Sequence, residues 1–286
     1  MKTDYIVIIN KTNFAPLNFI MSATYPIKKY IHYLLKARNE HSIHSPFVYK
    51  LYTEVIPDKN RFYAFDELDK VRRQLLQNEQ TIEVVDLGAG SKKMNNTRKV
   101  ADIAKYSVAN KKYSELLFRL TNFFKPESVL ELGASLGLSS LYMAHAAPKA
   151  NIISIEGCPN TYAFAKQLIA SSGVKNIELI NSSFDDALIN LCPSTGSVPK
   201  LSFDVVYIDG NHTYEATIKY FHLLLKNTNE NSLLIFDDIY WAVGMTKAWE
   251  EIKTHPAVTL TIDLYKVGLV FFRKENKQKE HFCLRY

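Results

Sequence analysis

Two rhythms of apolar residues divide the chain. From about Tyr25 to Arg119 they recur at intervals of three and four, as in "YIHYLLKA" and "YSELLFRLTNFF", the spacing of helix faces that pack on a core. Within that region Ser45 precedes Pro46, an N-cap followed by a residue suited to the first helical position, so a helix is expected from Pro46. From Ser128 onward the apolar residues gather in short β-rich runs separated by helical segments: Val129–Leu132, Ile152–Ile155, Ile177–Ile180, Phe203–Ile208 and Leu233–Phe236. That alternation predicts a parallel sheet wound with helices. Val258–Leu264 and Val267–Phe272 are separated only by Tyr265 and Lys266, too short for a crossover, and so predict an antiparallel hairpin. The expected architecture is α/β, with a helical N-terminal accessory region over residues 1–110, a sheet domain over 111–275, and a solvated, partly mobile tail over 276–286.

Two glycine turns compete for the binding loop. "VVDLGAGSKK", Val84 to Lys93, places Gly88 and Gly90 after Asp86, but "SKKMNNTRKV" then lacks the apolar periodicity of a helix docking on a sheet. "VLELGASLGLSS", Val129 to Ser140, places Gly133 and Gly137 after Glu131 and continues into "LSSLYMAHAA", an apolar helix. The next strand ends in Glu156, nineteen positions after Gly137, where an acid can accept both hydroxyls of a ribose. Neither turn carries the three glycines of a dinucleotide fingerprint. The second turn is the expected cofactor site. The first reads as a short Val84–Leu87 strand followed by a turn whose glycines supply conformations that a side chain would forbid.

With these residues in order, "ELGASLGLSS", "IISIE", "FDVVYIDGNHTYE" and "SLLIFDDIYW", the chain resembles class I S-adenosylmethionine-dependent methyltransferases, a Rossmann-like fold, and among them the catechol O-methyltransferase-like branch. The resemblance covers about Tyr113 to Lys274. It implies that Glu131 and Gly133 lie under the methionine part of S-adenosylmethionine, that Ala134, Ser135 and Gly137 line its path, and that Glu156 holds the ribose. It implies that Ser183 and Phe184 border the adenine and that Asp185 meets its exocyclic amine; Phe184 reads equally as a core residue. Ser135 stands where many class I enzymes carry a further glycine, as is common in the catechol-type branch.

The strand ends carry the acids. Asp209 follows the fourth run, and Asp237 and Asp238 follow the fifth. Three converging carboxylates repel one another, and a hard divalent ion relieves that repulsion, so magnesium or manganese is expected at Asp209, Asp237 and Asp238. In the catechol-type enzymes the resemblance gives Asp, Asp and Asn at these positions, which makes Asp238 a departure. Asp238 also reads as a helix cap. His212, three residues after Asp209, is a candidate general base alongside Asp209, or the cap of a helix starting near Tyr214. Trp241 reads either as a wall for the substrate or as a packing residue. The reading is O-methylation of a small-molecule hydroxyl with divalent-metal assistance. The alternatives are a metal-independent enzyme, a nucleic-acid methyltransferase, or a non-catalytic cofactor-binding module.

Charge and cysteine content refine this. The net charge of +6 resides between Lys92 and Arg119, where eight basic residues face Asp102 and Glu115. Such a band could attract nucleic acid, but aromatic interleaving is thin and a solvated helix face is expected instead. Amino-methylating enzymes also carry an Asn/Asp-Pro-Pro-aromatic stretch where this chain has "DGNHTY", so nucleic acid is not an expected partner. Cys158, Cys192 and Cys283 share no short spacing, which excludes a disulfide framework or zinc knuckle and suits a reducing cytoplasm. His41 and His44 have no third ligand near them in sequence and read as structural. No spanning segment is apparent, so no membrane partner is expected; a homodimer is compatible with everything above.

Overall fold

The computed structural model describes residues 17–85, 97–192 and 201–286. Its centre is an eight-stranded sheet built from β3 (Ser128–Leu132), β4 (Asn151–Glu156), β5 (Ile177–Asn181), β6 (Val205–Ile208), β7 (Leu233–Phe236), β8 (Leu260–Asp263), β9 (Gly268–Phe271) and β10 (Glu280–Cys283). The order across the sheet is β10-β8-β9-β7-β6-β3-β4-β5. β9 alone runs against its neighbours, pairing antiparallel with both β7 and β8. The five parallel strands and the closing hairpin are those that the apolar runs predict.

Alternation along the strands sends side chains to two helical layers. Val129, Ile152, Val205, Leu233 and Leu260 face one core, shared with Val48 and Leu51 of α2 (Pro46–Glu54) and Leu116, Leu117 and Leu120 of α5 (Lys111–Phe124). Leu130, Ile153, Val206, Leu234 and Val270 face the other, covered by α8 (Phe184–Leu191), α9 (Tyr214–Leu225) and α10 (Val243–Thr254). The remaining helices are α1 (Leu17–Lys36), α3 (Ala64–Leu76), α4 (Val100–Tyr106), α6 (Leu138–Ala146) and α7 (Pro159–Ser171). Among the described residues no helix is long and apolar enough to cross a membrane.

Two features differ from the sequence reading. The residues expected as a solvated tail instead form β10, which adds in parallel to β8 in the register Glu280 with Leu260, and Leu284 is buried beneath it. The chain end is held there: the Tyr33 hydroxyl donates to the Leu284 carbonyl at 2.6 Å, and the Tyr286 hydroxyl donates to the Lys112 carbonyl at 2.8 Å. The accessory region also contains a two-stranded ribbon, β1 (Thr81–Glu83) with β2 (Thr97–Lys99), so the strand lies ahead of the expected Val84–Leu87 run. Asp86, Gly88, Gly90 and Ser91 of the first glycine turn lie outside the described residues.

Candidate active site

The glycine turn joins β3 to α6. Gly133 has φ +105°, and a Cβ there would stand 2.0 Å from the Asp209 carbonyl oxygen, so the turn can lie against the end of β6 only with glycine. Gly133 N and Ala134 N donate to the Ile155 carbonyl at 3.0 and 3.1 Å, and Ala134 is buried. Gly137, also at positive φ, opens α6. Glu131 lies inside, beneath the turn, accepting hydrogen bonds from the hydroxyls of Ser140 and of Ser154, the latter at 2.6 Å. Its Oε1 is buried with no partner, and burial pushes the carboxyl above the usual range.

Glu156 ends the adjacent strand. Its two oxygens accept from Ser135 N and Cys158 N, each at 2.8 Å, which fixes the carboxylate beside the turn. Burial raises its pKa, and those amide donors work against the rise. Past β5, Ser183 caps α8 by accepting from Asp186 N, and Phe184 packs edge-on to Tyr220 and against the backbone of Gly210. Asp185 Oδ2 accepts from Lys219 at 2.8 Å, while its Oδ1 is buried without a partner. Glu131 in β3, Glu156 at the end of β4 and Asp185 past β5 thus follow the strand order toward one side of the sheet.

The acids after β6 and β7 divide into two groups. Asp209, His212 and Asp238 offer ligand atoms that all lie within 4.8 Å of one another. His212 Nε2 is 3.6 Å from Asp209 Oδ1 and 3.9 Å from Asp238 Oδ2. Asp237, the third expected ligand, points elsewhere: its Oδ2 accepts from the Tyr207 hydroxyl at 3.3 Å and lies 3.3 Å from Lys266 Nζ, and its Oδ1 accepts from Asp238 N. The same Tyr207 hydroxyl lies 3.0 Å from Asp209 Oδ2, so its one proton is shared between the two carboxylates. Burial and the facing charges of Asp237 and Asp238 push Asp209 well above the ordinary carboxylate range, and burial and the charge of Asp237 raise Asp238. Burial works against the charge of Lys266, but Asp237, Asp238 and Asp209 overcome it and hold its pKa above the usual lysine value.

Both capping alternatives are resolved. Thr213, not His212, caps α9, its hydroxyl accepting from Ala216 N. The residue before α10 is Ala242, which frees Asp238 from that role. Trp241 is 63% exposed and packs in no core. Lys266 and Tyr207 are the residues that sequence reading passed over, one as a turn residue and one as a strand residue.

Among the described residues the basic band does not form a continuous face. Lys99 pairs with Glu79, Lys111 lies 2.6 Å from Asp69, and Arg119 is buried, donating to the Val55 and Ile56 carbonyls. Lys92 and Lys93 lie outside the described residues.

Residues 130–239 match a protein family described as a methyltransferase domain. A catechol O-methyltransferase of Niastella koreensis is 27% identical over 148 residues, covering 51% of this chain and 62% of that protein, so the match spans less than two thirds of the relative's length. Among solved structures, an O-methyltransferase from Bacillus cereus in complex with SAH superposes with a TM-score of 0.53 at 14% identity, covering 78% of this chain and 96% of the other. The O-methyltransferase TomG from Streptomyces achromogenes, in complex with SAM, superposes with a TM-score of 0.52 at 17% identity, covering 79% and 95%. Sheet order and glycine turn are in keeping with these matches: residues 130–239 are similar to a methyltransferase domain, and the fold is that of the solved O-methyltransferases.

Proposed function

We propose that this protein transfers a methyl group from S-adenosylmethionine to a hydroxyl oxygen of a small organic acceptor. The observation that carries this reading is the convergence of His212, Asp209 and Asp238 beside the glycine turn, where the carboxyl ends of β6 and β7 meet that of β3. When bound, S-adenosylmethionine supplies an electrophilic methyl carbon on a sulfonium. Glu156 would accept the ribose hydroxyls, Phe184 and Ser183 would border the adenine, and Asp185, whose Oδ1 has no partner, would accept from the amine. Ala134, Ser135 and Gly137 line the methionine path, with Glu131 bracing the turn from beneath.

His212 takes the acceptor's proton at Nε2 as the oxygen attacks. An unperturbed imidazole has a pKa of about 6.5 and a phenol about 10, so a base held beside the acceptor makes up for the scarcity of phenolate at neutral pH. Holding the acceptor in line supplies about 7–11 kcal/mol of the barrier reduction. The carboxylates of Asp209 and Asp238 suit manganese or magnesium, and an ion held by these two, with His212 left free as the base, would stabilise negative charge on the acceptor oxygen. A metal-independent variant of the reading rests on Lys266, whose ammonium already lies between Asp237 and Asp238. The compartment proposed is the cytoplasm.

The test is mass spectrometry of catechol, phenol and sugar panels incubated with S-adenosylmethionine, with manganese or with a chelator. A methylated hydroxyl that disappears with His212→Ala, in a variant that still binds S-adenosylhomocysteine, is the expected result. Transfer that survives His212→Ala undiminished removes His212 as the base, and methylation at nitrogen or carbon only removes the O-methyl assignment.

A further inference from the structure

Helix α1 presents an apolar stripe that the described fold leaves largely open, with only its Tyr30 edge packed on Tyr265. Ile27, Tyr30, Ile31, Leu34 and Leu35 recur at helical spacing of three and four, and all are exposed, Leu35 to 81% and Ile27 to 60%. The opposite side holds the helix to the domain: Tyr33 is buried, its hydroxyl bonded to the Leu284 carbonyl, and the Pro26 carbonyl accepts from the Tyr265 hydroxyl at 2.8 Å. The stripe is therefore not a core face awaiting this domain, because the core face is already in use.

What flanks the stripe identifies its partner. Residues 17–39 contain Lys28, Lys29, Lys36 and Arg38 and no Asp or Glu. Lys28, His32 and Lys36 lie one turn apart on the side next to the stripe and are exposed, and Arg285, exposed, is held at the same end by the hydrogen bond that its backbone N–H donates to the Arg38 carbonyl. A second copy of this helix would bring the same cations together across the contact, which costs free energy. A layer with anionic headgroups and an apolar interior matches both the charge and the stripe. Tyr30 stands at the edge of the stripe, where an amphipathic ring suits a membrane interface.

We propose that α1 docks this protein on an anionic membrane surface, with the helix in the plane of the interface. No spanning segment is required, so the absence of a membrane partner expected from the sequence gives way to a peripheral association. Docking there would bring the rim of the site to the interface: the Tyr30 ring lies 4.8 Å from that of Tyr265, and the next residue, Lys266, lies against Asp237.

Co-sedimentation of the full chain with vesicles tests this, comparing phosphatidylcholine alone with phosphatidylcholine containing phosphatidylglycerol. The expected result is binding to the anionic vesicles that weakens with salt. It should fall roughly tenfold or more in Lys28→Gln/Lys36→Gln and in Ile31→Ser/Leu35→Ser. All four positions are exposed, and S-adenosylhomocysteine binding with unchanged melting shows that the variants remain folded. Absence of binding to anionic vesicles overturns the proposal. So does a concentration-dependent dimer in analytical ultracentrifugation that Ile31→Ser/Leu35→Ser abolishes while vesicles bind neither protein, since the stripe is then a self-interface.

Discussion

The ammonium of Lys266 lies 3.3 Å from Oδ2 of Asp237 and 3.6 Å from Oδ1 of Asp238, a resident positive charge within the acid cluster. Together with the Tyr207 hydroxyl it satisfies Asp237 internally and leaves Asp209, Asp238 and His212 to face the site. The chain therefore supplies for itself part of the charge that a metal would bring.

Replacing Lys266 with Met removes that charge and a like-charge neighbour for any cation. We expect manganese to bind Lys266→Met about tenfold or more tightly than the wild type, read by calorimetry in the presence of S-adenosylhomocysteine. The variant should also lose roughly 3 kcal/mol of stability, because Asp237 remains buried without its ion partner. Equal manganese affinity in the two proteins would show that Lys266 does not compete with metal.

Gly133→Ala should be the most damaging single change at the cofactor turn. The added Cβ meets a backbone carbonyl, not a movable side chain, and the required φ is unfavourable for alanine. A destabilisation of about 3 kcal/mol or more is expected by chemical denaturation, with loss of S-adenosylhomocysteine binding.

The pH dependence of stability follows from Asp209. Its pKa is raised on folding, so the native state binds the extra proton, and its contribution to stability falls as pH rises from near the usual carboxylate value, about 4, through the raised one. Asp209→Asn carries no charge to bury. It should melt about 2–4 °C above the metal-free wild type at pH 8, with the gap closing as pH is lowered and the wild-type carboxyl protonates. A variant that melts below the wild type at pH 8 contradicts this account of Asp209.

The central parallel strands were legible because they are apolar on both faces and covered by helices, as the runs at Val205–Ile208 and Leu233–Phe236 illustrate. β10 was not, since "EHFC" begins with two polar residues and its edge position demands little burial. Within the site, sequence reading grouped Asp237 with Asp238 because they are adjacent. Consecutive residues at a strand end point to opposite sides, and Asp238 enters a left-handed conformation at φ +54°, so only one of the two meets His212. Lys266 was hidden by sequence distance. Its position follows only from register: Phe236 pairs with Gly268, which brings the hairpin turn two residues earlier beside Asp237 and Asp238.

The central claim is that the edge formed by Gly133 and Glu156 binds the methyl donor. Calorimetric titration of S-adenosylhomocysteine into the wild type and Glu156→Gln tests it most directly. The account predicts binding at one site per chain in the wild type and an affinity about 10- to 100-fold weaker in a folded Glu156→Gln, since a charged acceptor is lost. No binding to the wild type, or equal binding to both proteins, would contradict it.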